Sequence, residues 1–309
     1  GGRPVFVDIE PETLAMDPNI VEAAMTRRTR ALLPVDVFGQ PAPMEQVGEI
    51  ARRHQLVVIE DACEAIGAER NGIRAGSTAD AAVFAFYPNK QITTGEGGMI
   101  VTDDVERAKV FRSLANQGRD DNGTWMNHVR LGFNYRMDEM SAALGRSQLA
   151  RIDEILERRD RVASWYNARL ASLQEVATPV VVPETTRMSW FVYVIRLDEG
   201  ISRDALLEEL ALRGVPTRPY FVPIHLQPFY RRTFGFRPGD FPVTERVGNS
   251  TLALPFFSDM TPEQVDFVAT QLEESLKRLT VRRLWTSGMT ARSEAEAPWA
   301  VQPTPASLT

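Results

Sequence analysis

Apolar residues in the first half of the chain follow two alternating patterns. Short continuous runs, such as Leu56–Ile59 and Ala81–Tyr87, are typical of strands buried on both faces of a sheet. Between them, as in Met44–Gln55, apolar residues recur at helical spacing. Strands are predicted at 4–9, 30–38, 56–59 and 81–87, and helices at 18–27 and 44–55. This alternation predicts an α/β fold with a mostly parallel sheet.

The pattern changes near residue 137, where helical spacing takes over. Residues 137–170 predict a long amphipathic helix that leaves the first domain. Further on, a strand is predicted at 191–197, and helices at 202–213 and 261–279. We therefore expect a large domain over 1–148, a smaller C-terminal α+β domain over 149–281, and a disordered tail over 282–309.

Composition excludes several classes of protein. The 309 residues carry a formal net charge of −6 without a basic block, which argues against a nucleic-acid partner. No apolar run approaches the ~20 residues that span a bilayer, so no membrane segment is predicted. The single cysteine, Cys63, excludes an internal disulfide and fits a reducing compartment, so we expect a cytoplasmic protein. His54, His128 and His225 lack metal-ligand spacing, and no metal site is predicted.

Two ionisable residues, Asp61 and Lys90, come directly after predicted buried strands. Because ligands of parallel sheets bind outside the carboxyl ends of the strands, both side chains are expected at one binding edge. Taken singly, Lys90 would be a surface loop residue and Asp61 a turn or capping residue. Together they are the pair that pyridoxal phosphate (PLP) chemistry needs, namely a lysine for the Schiff base and a carboxylate that keeps the pyridine nitrogen protonated.

Longer motifs follow one another along the chain. They are PVFVDIEPETLAMDP, VDVFGQPAPM, VVIEDACEAIGA, AFYPNKQITTGEGGMIVTDD, LGFNYRMDEMSAALGRSQL, RPYFVPIHLQPFY and FPVTERVGNSTLALPFF. In this order, from Arg3 to about Leu279, the chain resembles the nucleotide-sugar aminotransferases of the DegT/StrS type. These are PLP enzymes of fold type I, so the resemblance implies a large, mostly parallel α/β sheet domain that binds PLP and a smaller α+β C-terminal domain.

The resemblance also implies roles for individual residues. Lys90 would form the Schiff base and move a proton during the reaction, and Asp61 would hold the pyridine nitrogen. Glu64 would lie near the PLP ring and its phenolic oxygen, at a position where the family usually has Gln or His. Because a carboxylate only accepts hydrogen bonds, that contact requires a proton or a different partner.

Three further residues are implied at the cofactor phosphate and on the substrate side. Asn134 resembles a residue that reaches the PLP phosphate of a neighbouring subunit, which implies a homodimer with shared active sites. Its alternative role is that of a turn residue. Arg218 and His225 resemble substrate-binding residues of the second domain, and a structural role is the alternative for each.

Two departures from the family pattern concern the phosphate. The family has a hydroxyl residue five positions before its lysine, where this chain has Ala85. The family's N-terminal segment, whose Gly-Thr turn cradles the phosphate at a helix N-terminus, has no counterpart in these 309 residues. We therefore expect an N-terminally truncated member of the family.

The resulting hypothesis is an aminotransferase. By resemblance, L-glutamate donates the amino group and a keto sugar carried on a nucleotide accepts it, in the synthesis of an amino sugar for a polysaccharide or natural product. A related sugar dehydratase is disfavoured, since such relatives carry His in place of the lysine. The alternative is a truncated, non-catalytic or regulatory relative that binds a sugar ligand or a partner without turnover. The missing N-terminal segment and Ala85 favour this alternative, and the pairing of Asp61 with Lys90 opposes it.

Overall fold

The structure is a computed structural model that describes residues 2–120 and 127–295. The elements of its first half are α1 (Pro18–Ala24), β1 (Ala31–Leu32), α2 (Met44–His54), β2 (Val57–Asp61), β3 (Glu69–Arg70), β4 (Ile73–Arg74), β5 (Ala81–Ala85), β6 (Gly98–Val101) and α3 (Val105–Ala115). The second half contains α4 (Glu139–Leu149), α5 (Ile152–Leu170), β7 (Val176–Ala177), β8 (Tyr193–Leu197), α6 (Arg203–Leu212), β9 (Arg218–Pro219), α7 (Pro228–Phe234), α8 (Pro242–Ser250), β10 (Thr251–Leu254) and α9 (Pro262–Ala295).

The first sheet has the strand order β1-β2-β5-β6. β1, β2 and β5 run parallel, with Asp61 at the end of β2 opposite Val83 of β5, whereas β6 pairs antiparallel with β5. The apolar stripe of α2 packs on this sheet, where Val47 and Ile50 share a buried cluster with Val58. Because β2 and β5 are parallel neighbours, the segments that follow them leave the sheet at the same edge.

The second sheet is antiparallel, with the order β7-β8-β10-β9. Helices α5, α6 and α9 pack their apolar faces on it and form what we call the second-sheet core. The rings of Tyr166 and Tyr193 stack in its centre, with centroids 4.7 Å apart. Their hydroxyls donate to the Pro255 carbonyl at 2.7 Å and to the Asn167 side chain at 2.6 Å. The buried polar atoms of both tyrosines are therefore satisfied.

Residues 4–9 do not form the strand that their apolar pattern predicts. Within the described chain they make one isolated bridge, between Ile9 and Met16. The ring of Phe6 instead packs against Phe236 and Tyr230, with centroids 5.2 and 5.5 Å away. Side-chain packing on the second half of the chain, rather than strand pairing, satisfies this apolar pattern.

Asp8 ties the same segment to α8. Its carboxylate accepts hydrogen bonds from the Val243 and Thr244 amides at 2.9 and 2.8 Å, and from the Thr244 hydroxyl at 2.6 Å. These bonds outweigh the opposing effect of burial and lower the pKa of Asp8. Asp8 thus caps the N-terminus of a helix that lies 235 residues further along the chain.

Two element boundaries also differ from the sequence prediction. The predicted strand 30–38 shortens to β1, since Pro34 lacks an amide donor and Val37–Gly39 form a 3₁₀ turn. The predicted long helix over 137–170 is divided into α4 and α5, because the backbone of Arg151 leaves helical geometry. β6 was not predicted from its glycine-containing sequence.

The last helix extends beyond the predicted boundary. Helix α9 continues to Ala295 and so runs through residues 282–295, which the sequence analysis assigns to the start of a disordered tail. Proline is absent between residues 263 and 297, and this stretch contains many good helix formers. Residues 296–309 of the predicted tail lie outside the described residues. In the described ranges, no helix combines the length and apolar character needed to cross a bilayer.

Candidate active site

The ends of β2 and β5 bring Asp61 and Lys90 to one edge of the first sheet. Asp61 is the last residue of β2 and pairs with Val83. Lys90 follows β5 in a turn closed by its own amide, which donates to the Tyr87 carbonyl at 3.0 Å. The charges of Asp61 and Lys90 both act on the Glu64 carboxyl and on the Cys63 thiol, so the four groups form one cluster. The predicted convergence of Asp61 and Lys90 is therefore present.

The Lys90 ammonium lies in a largely enclosed position. Its Nζ is 3.3 Å from Glu64 Oε1 and 4.0 Å from the centroid of the Phe191 ring. The Lys90 and Glu64 side chains are only 13% and 15% exposed. One carboxylate and one aromatic face thus stabilise a charge that has lost most of its water.

Glu64 is held by the backbone as well as by Lys90. Its Oε2 accepts a hydrogen bond from the Phe38 amide at 2.9 Å. Burial raises the pKa of this carboxyl, and the charge of Lys90 opposes the rise. Phe38 has a left-handed φ of 59°, and Gly39 beside it has a φ of +99°. A Cβ on Gly39 would lie 2.7 Å from the Trp190 amide nitrogen, so the turn requires glycine there.

Asp61 is fixed mainly through its backbone. Its amide donates to the Pro34 carbonyl at 2.9 Å, and its carbonyl accepts from the Asp36 amide at 3.0 Å. One carboxylate oxygen accepts from the Cys63 amide at 3.2 Å. Burial, together with the hydrogen bond to Asp61, raises the pKa of the Cys63 thiol to about 12. Cys63 is therefore a neutral neighbour of Asp61 rather than a nucleophile.

Two glutamines hold the Lys90 loop, and sequence reasoning missed both. Gln91 donates from Nε2 to the Glu64 carbonyl at 2.6 Å and to Ser189 Oγ at 2.7 Å. Gln148, on α4, accepts from the Thr93 amide at 3.1 Å and donates to the Thr93 carbonyl at 2.5 Å. All four hydrogen bonds join residues more than 25 positions apart in the sequence, so neither glutamine carries a local sequence signal.

Arg159 holds the segment that supplies Phe191. Its Nε and Nη2 donate to the Trp190 and Phe191 carbonyls at 2.6 and 2.7 Å. Its guanidinium also lies 4.9 Å from the centroid of Phe256. Burial lowers the pKa of Arg159 to about 10, and no ion pair to it is present in the described part of the chain. Arg159 lies in the predicted amphipathic helix, whose charge pattern gives no sign that this cation is buried.

Asn134 lies in an exposed segment that is tied to the end of α3. It forms an isolated antiparallel bridge with Asn116. On either side of it, the Phe133 and Tyr135 amides donate to the Leu114 and Ala115 carbonyls at 2.6 and 2.9 Å. The Asn134 side chain itself has no intramolecular role that would compete with a ligand among the described hydrogen bonds.

Arg218 and His225 occupy very different surroundings. Arg218 is exposed on the edge strand β9, and its guanidinium donates to the Thr217 carbonyl at 3.2 Å. His225 is 3% exposed; its Nε2 lies 2.9 Å from Glu245 Oε1, and its ring lies 4.8 Å from that of Phe241. Arg218 is thus available to a ligand, while His225 belongs to a buried network.

A family model matches residues 1–273 of this chain, and its description is the DegT/DnrJ/EryC1/StrS aminotransferase family. The chain belongs to the DegT/DnrJ/EryC1/StrS aminotransferase family. The resemblance seen in the sequence motifs is confirmed, and so is the fold type I architecture. As a member of this family, the protein is a PLP-dependent aminotransferase.

Three relatives of this aminotransferase illustrate the similarity. GDP-perosamine synthase of Caulobacter vibrioides is 42% identical over 278 residues, which are 89% of this chain and 74% of the relative. The structure of DesV from S. venezuelae is 36% identical, with a TM-score of 0.80 and coverage of 86% and 70% of the two chains. The PLP form of the sugar aminotransferase Spr1654 from Streptococcus pneumoniae is 26% identical, with a TM-score of 0.84 and coverage of 90% and 76%.

The residues of the aminotransferase site fit PLP. A largely enclosed amine, Lys90, and a carboxylate, Asp61, lie at the binding edge of the same parallel strands. The ring of Phe191 and the Phe38–Gly39 turn provide an apolar wall beside the amine. The buried Oε1 of Gln91, next to this group, has no hydrogen-bond partner among the residues that the structure describes. Such a donor and acceptor set suits a ligand that carries a carbonyl and a basic ring nitrogen.

Proposed function

We propose that this aminotransferase transfers the amino group of L-glutamate to the keto group of a nucleotide-linked sugar, as a cytoplasmic homodimer that makes an amino sugar for a polysaccharide or natural product. The observation that carries the proposal is the convergence of Lys90 and Asp61 at the end of β2 and β5. The similarity to GDP-perosamine synthase supports a sugar acceptor carried on a nucleotide, with GDP as the first nucleotide to test.

PLP, when bound, withdraws electrons from the carbon that carries the amino group. In this proposal Lys90 would hold the cofactor and, once released, would take up a proton at its Nζ and deliver it again, while Glu64 and Phe191 keep Nζ in position. Asp61 would keep the pyridine nitrogen of the cofactor protonated. Enclosure of Lys90 limits the access of water to the reacting atoms.

Glu64 has a different role from the amide side chain that the family usually has at this position. Its two oxygens already accept from Lys90 and from the Phe38 amide. We propose that Glu64 contacts the phenolic oxygen of PLP only as a protonated acid, since two negative oxygens would repel each other. The burial that raises its pKa favours that form.

The surface around Asn134 supports the proposed homodimer. Four apolar residues beside it are strongly exposed, namely Leu131 at 88%, Phe133 at 52%, Tyr135 at 73% and Met140 at 83%. A second copy that covers them would remove this apolar area from water. In that dimer we assign Asn134 to the PLP phosphate of the partner subunit.

On the substrate side, we assign Arg218 to the nucleotide diphosphate and His225 to a structural contact with Glu245 of α8. Arg218 is exposed and has no carboxylate partner among the described ion pairs, which suits an anionic ligand. His225 is buried against Glu245, as expected of a structural residue. An Arg218→Ala variant should raise KM for the nucleotide-sugar, whereas a His225→Ala variant should lower stability.

An absorbance titration tests the proposed reaction. PLP is added to the full chain, and the near-ultraviolet and visible spectrum is followed before and after L-glutamate is added, with D-glutamate as a matched control. We expect a protein-bound band that L-glutamate shifts and D-glutamate does not. GDP-linked and dTDP-linked keto sugars are then offered as acceptors, and restoration of the first spectrum marks amino transfer. A bound cofactor that no amino donor changes would contradict the proposal and favour the non-catalytic alternative.

A further inference from the structure

Two carboxyl side chains, Asp36 and Glu60, lie beneath the sheet edge that presents Asp61. Both are fully buried, with no exposed surface. Asp36 comes just before the 3₁₀ turn Val37–Gly39, and Glu60 is the residue before Asp61 in β2. Because successive side chains of a strand point to opposite faces, Glu60 lies on the other face of the sheet from Asp61.

The hydrogen bonds that backbone amides donate to this pair leave one oxygen of each carboxyl without a partner. Asp36 Oδ1 accepts from the Ala42 amide at 2.8 Å, and Glu60 Oε1 accepts from the Gly76 amide at 2.7 Å. Asp36 Oδ2 and Glu60 Oε2 are buried and have no hydrogen-bond partner among the described residues. The two carboxyls lie close enough for the charge of Glu60 to act directly on Asp36. Since ionised carboxylates only accept hydrogen bonds, a hydrogen bond between these two oxygens requires a proton on one of them.

The charges around the pair also require a proton. In the described chain neither carboxyl has a cationic partner, and the other charge that acts on Asp36 is the negative Asp61. The packed segments at Ala42 and Gly76 contribute backbone amides. Burial raises the pKa of both carboxyls, and the charge of Glu60 raises the pKa of Asp36 further. Two buried carboxylates without a cation would repel each other strongly.

We propose that Asp36 and Glu60 share one proton, and that this protonated pair is a positioning element for Asp61. Its link to Asp61 is direct: the Asp36 amide donates to the Asp61 carbonyl at 3.0 Å, and Val35 forms a parallel bridge with Asp61. The part that concerns Asp61 as a cofactor residue rests on the proposed function; the shared proton does not.

The shared proton joins separate segments of the chain at one point. It connects the end of the β1 segment to β2, and the two outer hydrogen bonds add the Ala42 turn and the Gly76 turn. The last of these turns is tight, since a Cβ on Gly76 would lie 2.7 Å from the Phe84 ring. Loss of the proton would place two negative charges at this junction and push the segments on either side of Asp61 apart.

The sign of the pH dependence follows from the raised pKa values. Unfolded Asp and Glu side chains release their protons near 3.8 and 4.5, whereas the folded pair keeps one proton above these values. The folded chain therefore binds more protons, and its stability falls as the pH rises from this range towards the pKa of the folded pair. An Asp36→Asn variant, whose amide donates to Glu60 at every pH, should lack this loss.

Infrared spectroscopy of the full chain at neutral pH tests the shared proton, because a protonated carboxyl has a C=O stretching band distinct from that of a carboxylate. We expect Asp36→Asn and Glu60→Gln each to lose the same single band. The matched control Asp80→Asn, which removes a partly exposed carboxylate bound to Arg107, should keep it. If both variants retain every band of the parent chain, or if each loses a different band, the pair does not share one proton.

Amide hydrogen exchange tests the positioning of Asp61 by a comparison of the folded parent chain with folded Asp36→Asn. After correction for intrinsic exchange, the Asp61 amide of the parent chain should lose protection by at least about tenfold between about pH 5 and about pH 8, and the loss should vanish in Asp36→Asn. Amides of the β8–β10 ladder serve as the internal reference. An equal loss at Asp61 in both proteins would refute the positioning role. Neither experiment contains PLP, so both are decided even if the proposed transamination fails.

Discussion

The second-sheet core and the Lys90 site bury side chains of opposite character. The core is built from apolar groups and two tyrosines whose hydroxyls are satisfied, and its burial is favourable throughout. The site encloses Lys90 and Glu64, and burial of each of these groups is unfavourable unless the other is present. The comparison shows that the second-sheet core stabilises the fold, whereas the Lys90 site holds ionisable groups in place at a cost in folding free energy.

The largest effect should come from removing the amine of the site. A Lys90→Ala variant should have no measurable aminotransferase activity and no protein-bound cofactor band, because no other amine lies at this edge in the described residues. Its melting temperature should stay close to that of the parent chain, since Glu64 can become protonated. Lys277→Ala, which removes an exposed lysine of α9, is the matched control. A persistent band in Lys90→Ala would show that another lysine holds the cofactor.

The opposite result is expected in the second-sheet core. Leu272, on α9, is fully buried, so Leu272→Ala should lower the free energy of unfolding by about 2–5 kcal/mol. Its cofactor spectrum per folded molecule should not change. Leu212→Ala, at an 85% exposed position, should change the stability by less than about 0.5 kcal/mol. Urea unfolding of the three proteins measures these differences in stability. An altered cofactor spectrum in Leu272→Ala would show that the two regions are not independent.

Arg159 is where the two regions meet. Arg159→Leu leaves the Trp190 and Phe191 carbonyls without donors, so we expect a loss of about 2–3 kcal/mol in unfolding free energy. It should also weaken PLP binding, because Phe191 packs on Lys90. Arg169→Leu, which removes an exposed ion pair of the same helix, is the control. A destabilised Arg159→Leu with unchanged PLP affinity would mean that Arg159 serves the core alone.

The smallest effect concerns the charge of Glu64. Because its pKa is raised in the folded state, its ionisation lowers stability as the pH rises from about 4.5. Glu64→Gln should therefore gain stability relative to the parent chain over that range, by at most about 1.4 kcal/mol per pH unit. Parallel unfolding curves at several pH values measure the difference. A difference that is constant with pH would mean that burial does not control this carboxyl.

Sequence reasoning succeeded where a physical signal is local. The helix predicted at 202–213 matches α6 closely, and the apolar runs before Asp61 and Lys90 located β2 and β5. Because the strand pattern also predicts which edge binds ligands, the meeting of Asp61 and Lys90 followed from it. The roles assigned to Asn134, Arg218 and His225 came from resemblance, and they stay predictions.

Sequence reasoning failed where the signal depends on tertiary contacts. Residues 4–9 have the apolar pattern of a strand, but Phe6 satisfies it by packing against rings more than 200 residues away. Gln91 and Arg159 look like ordinary polar residues until the chain is folded, since their partners are up to 98 residues distant. The proximity of Asp36 to Glu60 was likewise invisible, because it depends on the pairing of β1 with β2.

The hydrogen bonds that Asp8 makes to α8 set an order of events during synthesis. A ribosome that has released Asp8 must add about 235 more residues before Val243 and Thr244 emerge. Until then the carboxylate has no helix to cap, and the neighbouring Phe6 ring has no aromatic cluster to join. Residues 4–9 therefore remain in contact with solvent while the first sheet forms. Closure of this contact is a late step, and a nascent chain arrested before residue 243 should leave residues 4–9 open to proteolysis.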